Sequence, residues 1–241
     1  MAGKFIVSGH MQNSSILLLL VSIIFLSACP AKNEVGAIGN NDGFVDVKEF
    51  IPSVQLDIRY YTAENFVGRG IDGYDAPKCL LTRQAAVALK NVQEELARKR
   101  QSLKIFDCYR PQRAVDHFIR WAKDLSDQKT KSKYYPSIDK ESLFKNGYLA
   151  EKSGHSRGST LDLTIIDLES NQELDMGTGF DFFDTLSHTV NSRIGKSQQD
   201  NRIALKSVME RNGFKNLEEE WWHFTLQNEP YPDKYFDFKV K

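Results

Sequence analysis

Charge imbalance is missing from this chain of 241 residues. Lys and Arg number 32, Asp and Glu also number 32, and the formal net charge is zero. A domain that binds nucleic acid usually concentrates Lys and Arg on one face. Because no basic stripe appears along the sequence, we expect no nucleic-acid partner. The sequence leaves the oligomeric state open.

Long apolar runs are also missing, apart from one near the N-terminus over residues 16–25. A run of ten residues is too short for an ordinary transmembrane helix, but it suits the core of a signal peptide. The run leads into Leu26-Ser27-Ala28-Cys29, where small residues precede a cysteine. This is the cleavage pattern of bacterial lipoproteins, so we predict a lipoprotein signal peptide over residues 1–28 and a lipid on Cys29.

The alternative is an ordinary secretory signal with a cysteine in this place by chance. Lys4 is the only Lys or Arg ahead of the apolar run, and it lies far from it. Both interpretations place the mature chain outside the cytoplasm, and the lipid would add a membrane anchor in the periplasm or at the cell surface. Residues 30–43 are rich in Asn, Gly and Ala, which predicts a flexible tether over 29–43 and one domain over 44–241.

Cysteine is scarce, with three in the whole chain and no CxxC pair. If Cys29 carries a lipid, Cys79 and Cys108 remain. Two leftover cysteines in an oxidising compartment usually pair, so we predict a disulfide between them. Two buried free thiols are the alternative. In either case we expect the pair to take no part in the chemistry of the protein.

Internal repeats are absent as well, and predicted strands and helices do not alternate regularly as they do in βαβ units. These absences argue against solenoids and parallel-sheet folds. Apolar spacing predicts a helix that begins at the N-cap Thr82 and a helix that ends at Gly213. The full set of predicted elements is strands over 54–59, 103–108, 161–166 and 221–226, helices over 83–96, 114–125 and 203–212, and loops over 65–77 and 128–143. This mixture predicts the α+β class.

Two short motifs contain the residue types of a hydrolytic zinc site. His155 precedes Asp162 by seven residues, and Glu220 precedes His223 by three. A catalytic zinc takes three protein ligands and leaves its fourth position to water. We predict His155, Asp162 and His223 as those ligands and Glu220 as the base that accepts a proton from the water. Since Glu220 lies an odd number of residues before His223, a bend must separate it from the final strand.

The remaining histidines have weaker patterns. His117 lies beside apolar helix positions, and we predict a structural role for it. His188 lies in a predicted turn that can border the site. His155 differs from both because Gly154 and Gly158 flank it closely, which favours a tight loop.

Taken together, these motifs resemble the zinc D-alanyl-D-alanine dipeptidases. The resemblance extends over about residues 44–241, with the segments in the expected order. The further segments that carry it are Asp57-Ile58-Arg59-Tyr60, Asn65-Phe66-x-Gly68, Asp72-Gly73-Tyr74, Asp107-Cys108-Tyr109-Arg110-Pro111-Gln112-Arg113 and Met176-Gly177-Thr178-x-Phe180-Asp181-Phe182-Phe183-Asp184. The resemblance implies a small central antiparallel sheet with helices packed around it and one Zn²⁺ per chain.

The resemblance also implies roles for three further residues. Arg110 would stabilise the oxyanion, for which a permanently charged, pre-organised guanidinium is suited. A structural salt bridge is the alternative for this arginine. Ser153 would donate a hydrogen bond to substrate, and Asp181 would bind the free ammonium of the substrate. Asp175 and Asp184 are alternative partners for the ammonium.

The implied activity is hydrolysis of the dipeptide D-alanyl-D-alanine, and the export signal favours a role in cell-wall turnover or recycling. One alternative is a zinc D,D- or L,D-carboxypeptidase that acts on longer peptidoglycan stems. Another is a non-catalytic lipoprotein that binds zinc or the wall. The presence of Glu220 and Arg110 argues against a pure binder, because binding alone requires neither residue.

Overall fold

Five α-helices and two β-sheets make up the described part of the chain, which in this computed structural model is residue 1 and residues 43–241. The predicted signal peptide, the predicted lipidation of Cys29 and almost all of the predicted tether fall outside the described residues and stay predictions. Within those residues, no helix combines the length and the apolar character needed to cross a membrane. The prediction of the α+β class is confirmed.

The smaller sheet pairs two strands, and the larger sheet contains six. In the smaller sheet, β1 (Phe44–Asp46) is antiparallel to β3 (Leu80–Thr82). The larger sheet has the order β2 (Gln55–Leu56), β4 (Gln101–Asp107), β5 (Thr160–Asp167), β8 (His223–Leu226) and β7 (Phe214–Asn216), with β6 (Gln172–Glu173) paired to the end of β5. The larger sheet is mixed rather than fully antiparallel, because β2 runs parallel to β4.

The helices flank these sheets. They are α1 (Val47–Phe50), α2 (Arg83–Ala97), α3 (Gln112–Lys123), α4 (Lys131–Tyr134) and α5 (Lys196–Arg211). Helix α2 begins where its sequence predicts, because the Thr82 hydroxyl accepts a hydrogen bond from the Ala85 amide. Helix α5 begins seven residues earlier than predicted. Its first two turns contain no regularly spaced apolar residues, so hydrophobic periodicity could not detect them.

The final strand is shorter than predicted, since β8 begins at His223 and not at residue 221. Trp221 and Trp222 precede it in a turn and are both buried in the core. The Glu220 amide donates to the carbonyl of Leu217 at 3.0 Å, and the His223 amide donates to the carbonyl of Glu220 at 3.2 Å. This turn supplies the bend that the spacing of Glu220 and His223 requires.

Strand β5 lies at the centre of the larger sheet and sets the position of the site. Asp162 on β5 pairs with Asp107 at the end of β4 on one side. On the other side Asp162 pairs with His223, the first residue of β8. Three polar residues from three neighbouring strands therefore form one row across the sheet.

Candidate metal centre

The site is built where the row Asp107, Asp162 and His223 meets a tight turn. A 3-10 turn, Gly154–Arg157, precedes β5 and carries His155. Gly158 ends this turn with φ 83°, a left-handed conformation that favours glycine. A Cβ atom at Gly158 would lie 2.2 Å from a ring carbon of Phe44. The glycine lets the chain fold back on itself, and His155 thereby reaches the residue seven positions further along.

Three ligand atoms converge at this point. Nε2 of His155 lies 3.3 Å from Nδ1 of His223 and 3.3 Å from Oδ2 of Asp162. Nδ1 of His223 lies 3.1 Å from Oδ1 of Asp162. A tetrahedral zinc with bonds of about 2.0–2.1 Å places its ligand atoms about 3.3 Å apart. The observed spacing therefore fits a single tetrahedral zinc.

The hydrogen bonds around the ligand atoms also fit a metal. Nδ1 of His155 lies 2.7 Å from the backbone carbonyl of Cys108, which can only accept a hydrogen bond. Nδ1 must then carry the proton, and Nε2 is left with a free lone pair toward the other ligands. Oδ1 of Asp162 is buried and accepts no hydrogen bond. An orphaned buried acceptor is costly, and a cation at this point would satisfy it.

Burial and neighbouring charges shift the pKa values of two of the three predicted ligands, His155 and Asp162, in the directions that metal binding needs. Burial lowers the pKa of His155 and keeps its ring neutral. Burial alone would raise the pKa of Asp162, but His155 and His223 outweigh it and hold that pKa below its ordinary value. A neutral imidazole and an ionised carboxylate are the protonation states that bind zinc. Burial lowers the pKa of His223, but the hydrogen bond and charge of Asp162 and the charge of Glu220 outweigh it and raise that pKa, so a metal at this point must displace a proton from His223.

Glu220 lies beside the three ligand atoms without belonging to the group. Its Oε2 is 3.4 Å from Nδ1 of His223. The Asn216 side-chain amide donates to the carbonyls of both Glu220 and His223, at 3.1 and 3.0 Å, and so fixes the turn between them. Burial raises the pKa of Glu220 to about 6. A carboxylate with a pKa close to neutrality is suited to accept and then return a proton.

Arg110 is fixed by two carboxylates and two aromatic rings. Its Nε donates to Oδ2 of Asp107 at 2.9 Å, and its Nη2 lies 3.5 Å from Oδ2 of Asp162. The guanidinium carbon lies 4.9 Å from the centre of the Tyr60 ring and 5.3 Å from that of Phe118. The salt bridge considered as an alternative role is therefore present, and the same side chain also borders the cavity of the site.

A cavity of about 220 Å³ is lined by the three predicted metal ligands, by Glu220 and Arg110, and by both predicted substrate residues. Asp181 is buried in its wall and accepts hydrogen bonds from the Tyr60 hydroxyl at 2.9 and 3.2 Å. Burial, followed by the charge of Asp162, raises the pKa of Asp181 well above its usual range. Ser153 lies at the edge of the cavity, where its hydroxyl oxygen accepts from the His155 amide at 3.3 Å.

The two alternatives to Asp181 lie elsewhere. Asp175 is exposed and accepts from the Gly177 amide and from Gln198. Asp184 accepts from the Leu186 amide at the start of a 3-10 turn, and neither carboxylate borders the cavity. His117 accepts from the Asp72 amide at 3.1 Å, and neither His117 nor His188 borders the cavity.

The cysteine pair lies closer to the site than expected. Cys79 and Cys108 form a disulfide, with their Cα atoms 5.2 Å apart. The carbonyl of Cys108 is the group that orients His155. The disulfide therefore fixes a backbone group in direct contact with the predicted metal ligand His155, which the sequence did not indicate.

Two other site residues were not singled out from the sequence. Asp107 is fully buried, and its second oxygen accepts from the Tyr74 hydroxyl at 2.6 Å. Tyr60 is the partner of Asp181. Both lie in segments that carried the family resemblance, but an acidic residue at a strand end and a buried tyrosine have no diagnostic spacing of their own.

Comparison with known proteins decides the family. A family model described as D-ala-D-ala dipeptidase, of peptidase group M15, matches residues 40–241. The chain belongs to this family. The resemblance read from the sequence is thereby confirmed, as is the prediction of a zinc metallopeptidase.

Relatives in the family are similar over almost their whole length. A D-alanyl-D-alanine dipeptidase from Enterococcus faecalis is 43% identical over 199 residues, which cover 83% of this chain and 98% of that protein. One from Streptomyces coelicolor is 41% identical over 197 residues, covering 82% and 98%. A zinc complex of the vancomycin-resistance D,D-pentapeptidase VanY matches 66% of this chain and 78% of that one, at a TM-score of 0.39 and 11% identity. The structural likeness is too low to add to these conclusions.

Proposed function

We propose that this protein is a zinc dipeptidase that hydrolyses D-alanyl-D-alanine to two molecules of D-alanine. One observation supports it most strongly: a buried carboxylate, Asp181, shares a small cavity with a complete set of zinc ligands. A free dipeptide carries an ammonium group close to its scissile bond, and such a carboxylate would pair with it. The relatives named as D-alanyl-D-alanine dipeptidases support the same substrate.

His155, Asp162 and His223 would hold the metal, and Cys108 would keep His155 in the required tautomer. When bound there, zinc supplies Lewis acidity that polarises the scissile carbonyl and acidifies a water molecule. Glu220 would accept a proton from the attacking water and then return it to the departing amine. The raised pKa of Glu220, about 6, suits a group that must act as base and then as acid.

Arg110 would stabilise the negative charge that develops on the carbonyl oxygen. Its contacts with Asp107 and the Tyr60 ring hold the guanidinium in place before substrate arrives. A pre-organised charge costs no reorganisation during the reaction, which is why such groups contribute strongly to catalysis. Ser153, with its hydroxyl oxygen accepting from the His155 amide, still has its proton available to donate to substrate.

The size of the cavity favours a short substrate. Pockets for drug-sized ligands measure about 300–1,000 Å³. The cavity of this site, at about 220 Å³, is smaller. A substrate with a long chain on its amino side would also remove the ammonium that Asp181 would bind. Asp181 would then have no cationic partner, so its ionised form would be costly and the binding contributed by the ammonium would be lost.

A substrate panel tests this proposal with the zinc-loaded protein. We expect kcat/KM for free D-alanyl-D-alanine to exceed that for N-acetyl-D-alanyl-D-alanine, a tripeptide and a stem pentapeptide by at least about a hundredfold. Equal cleavage of the pentapeptide would replace this proposal with the carboxypeptidase alternative. Zinc binding without cleavage of any member of the panel would favour the non-catalytic alternative.

We further propose that the protein is exported and anchored through a lipid on Cys29, where it acts in turnover or recycling of cell-wall peptides. The support is the apolar run over residues 16–25 and the small residues before Cys29. A disulfide between Cys79 and Cys108 is consistent with an oxidising compartment.

A further inference from the structure

Helix α5 carries a buried arginine that lies outside the cavity. Arg202 is completely buried, and all four of its hydrogen-bond partners are uncharged oxygens. Burial accordingly lowers its pKa to about 10. A buried guanidinium without a carboxylate partner is unusual, because desolvation of the charge is costly. The contacts it makes in return indicate what this residue does.

Arg202 binds both ends of one segment, residues 176–188. Its Nε donates to the carbonyl of Met176 at 2.6 Å. Its Nη1 donates to the carbonyls of Leu186 and His188, at 2.8 and 2.6 Å. One side chain thus closes the base of a loop that has Asp181 near its middle.

Asp181 itself has φ 59°, in the left-handed region that non-glycine residues rarely occupy. The surroundings must hold such a backbone in place. A side-chain contact on the cavity side comes from the Tyr60 hydroxyl. The bonds from Arg202 restrain the two ends of the loop, so they limit how far the Asp181 carboxylate can move.

A second branch leads from Arg202 to the turn that carries Glu220. Nη2 of Arg202 lies 3.3 Å from the Thr178 hydroxyl, which also accepts from the Trp221 indole at 2.9 Å. The Trp221 amide donates to the carbonyl of Ser187 at 3.0 Å, within the same loop. Trp221 follows Glu220 directly, so the loop with Asp181 and the turn with Glu220 are bound to each other.

We propose that Arg202 is a positioning residue that sets Asp181 and Glu220 at a fixed separation, and so makes the enzyme selective for a free dipeptide. This inference rests on the proposed function, because it requires Asp181 to bind the substrate ammonium while Glu220 acts at the scissile bond. A planar guanidinium suits the task better than an ammonium, since its donors reach oxygens in several fixed directions.

The test compares Arg202→Lys and Arg202→Met with Lys140→Met as a matched control. Lys140 is also a buried cation that donates to backbone carbonyls, those of Asp124 and Asp127 at the end of α3. It does not border the cavity. Loss of either cation should lower the melting temperature, so stability alone does not distinguish a positioning role from a structural one.

Substrate preference and hydrogen exchange distinguish the two roles. In the Arg202 variants we expect kcat/KM for D-alanyl-D-alanine to fall at least about thirtyfold. The preference over the N-acetylated dipeptide should fall from about a hundredfold to below about tenfold, while zinc content stays at one per chain. Amide exchange should accelerate in both residues 176–188 and residues 217–222. Arg202→Lys should retain more of the preference than Arg202→Met, and Lys140→Met should change neither exchange in these segments nor preference.

Thr178→Val provides a milder variant if Arg202→Met fails to fold. It removes a hydroxyl that contacts Arg202, Trp221 and the Ser187 hydroxyl, but keeps the three bonds from Arg202 to backbone carbonyls. We expect faster exchange in residues 217–222, a several-fold lower kcat and a smaller loss of the preference for the free dipeptide than in the Arg202 variants. If the Arg202 variants lose stability alone, with wild-type preference and exchange in both segments, the inference is wrong. If the wild-type protein cleaves the free and the N-acetylated dipeptide equally well, the proposed function fails. The inference is tested separately by hydrogen exchange: it is wrong if the Arg202 variants do not accelerate amide exchange in both residues 176–188 and residues 217–222.

Discussion

The disulfide between Cys79 and Cys108 allows a prediction whose size follows from the chain. The bond links residues 29 positions apart. In the chain-entropy model, a crosslink over about 30 residues destabilises the unfolded state by about 3.5 kcal/mol at 25 °C. We therefore expect the double variant Cys79→Ala, Cys108→Ala to lose about that much free energy of unfolding.

The melting temperature converts this loss into a measurable shift. For a domain of about 200 residues, 1 kcal/mol corresponds to about 2–4 °C, so the double variant should melt about 7–14 °C lower. Calorimetry of the metal-free protein measures this shift without a contribution from bound zinc. Addition of reductant should lower the melting temperature of the wild type by a similar amount and leave the double variant unchanged.

A second consequence separates the disulfide's effect on stability from its effect on the metal site. The Cys108 carbonyl orients His155, and without the crosslink this backbone is held less firmly. Loss of such an outer contact typically costs 10–100-fold in metal affinity. Zinc titration of the double variant should therefore give weaker binding, and zinc should raise its melting temperature less than it raises that of the wild type. Unchanged melting in reductant, together with wild-type zinc affinity, would refute this reasoning.

Other substitutions test the roles assigned to single residues. Glu220→Gln should keep one zinc per chain by metal analysis but lower kcat by about 10²–10⁴, because the base is removed and no ligand is; near-normal turnover would exclude Glu220 as the base. His223→Ala should lose both metal and activity, since it removes one of three ligands; full zinc occupancy in this variant would remove His223 from the ligand set. Asp181→Ala should reduce kcat/KM for the free dipeptide more than for the N-acetylated one, because only the former offers an ammonium; equal losses on the two substrates would contradict that assignment. Cys29→Ser should move the protein from the membrane fraction to the soluble fraction without a change in zinc binding, and recovery of the wild type with an unmodified N-terminus would contradict the lipid anchor.

Local signals in the sequence predicted the elements that carry regular patterns. Helix α2 has a threonine cap and apolar residues at helical spacing, and it forms where expected. The left-handed Gly213 after α5 also agrees with its predicted role. The beginning of α5 was missed because Arg202, in its early turns, looks like a solvent-exposed residue by type, although the structure buries it completely. Burial of a charged side chain by a distant loop leaves no periodic signal.

For the site, the sequence predicted the side chains that have a diagnostic spacing but not the backbone contact that orients one of them. His155, Asp162, Glu220 and His223 were predicted from their residue types and spacings, which suit hydrolytic zinc chemistry, and the structure brings them together in one cavity. The contribution of Cys108 could not be predicted, because it comes from a backbone carbonyl, which every residue has. Strand order likewise depends on pairing between segments far apart in the chain, about which local patterns carry little information.

Asp107, Asp162 and His223 lie in one row across three strands, so the predicted metal site forms only when these strands pair in the correct register. A slip of β5 by one residue would turn Asp162 to the other face and bring Leu161 or Leu163 into its place. A chain with either pairing shifted can therefore keep its secondary structure and its compactness but cannot assemble the ligand set. During refolding, the appearance of tight zinc binding should mark the moment at which β8 docks in register against β5. Zinc binding followed during refolding would therefore report when the strands reach the correct register. Circular dichroism does not resolve this step, because it measures the content of β-structure and not the register of the strands.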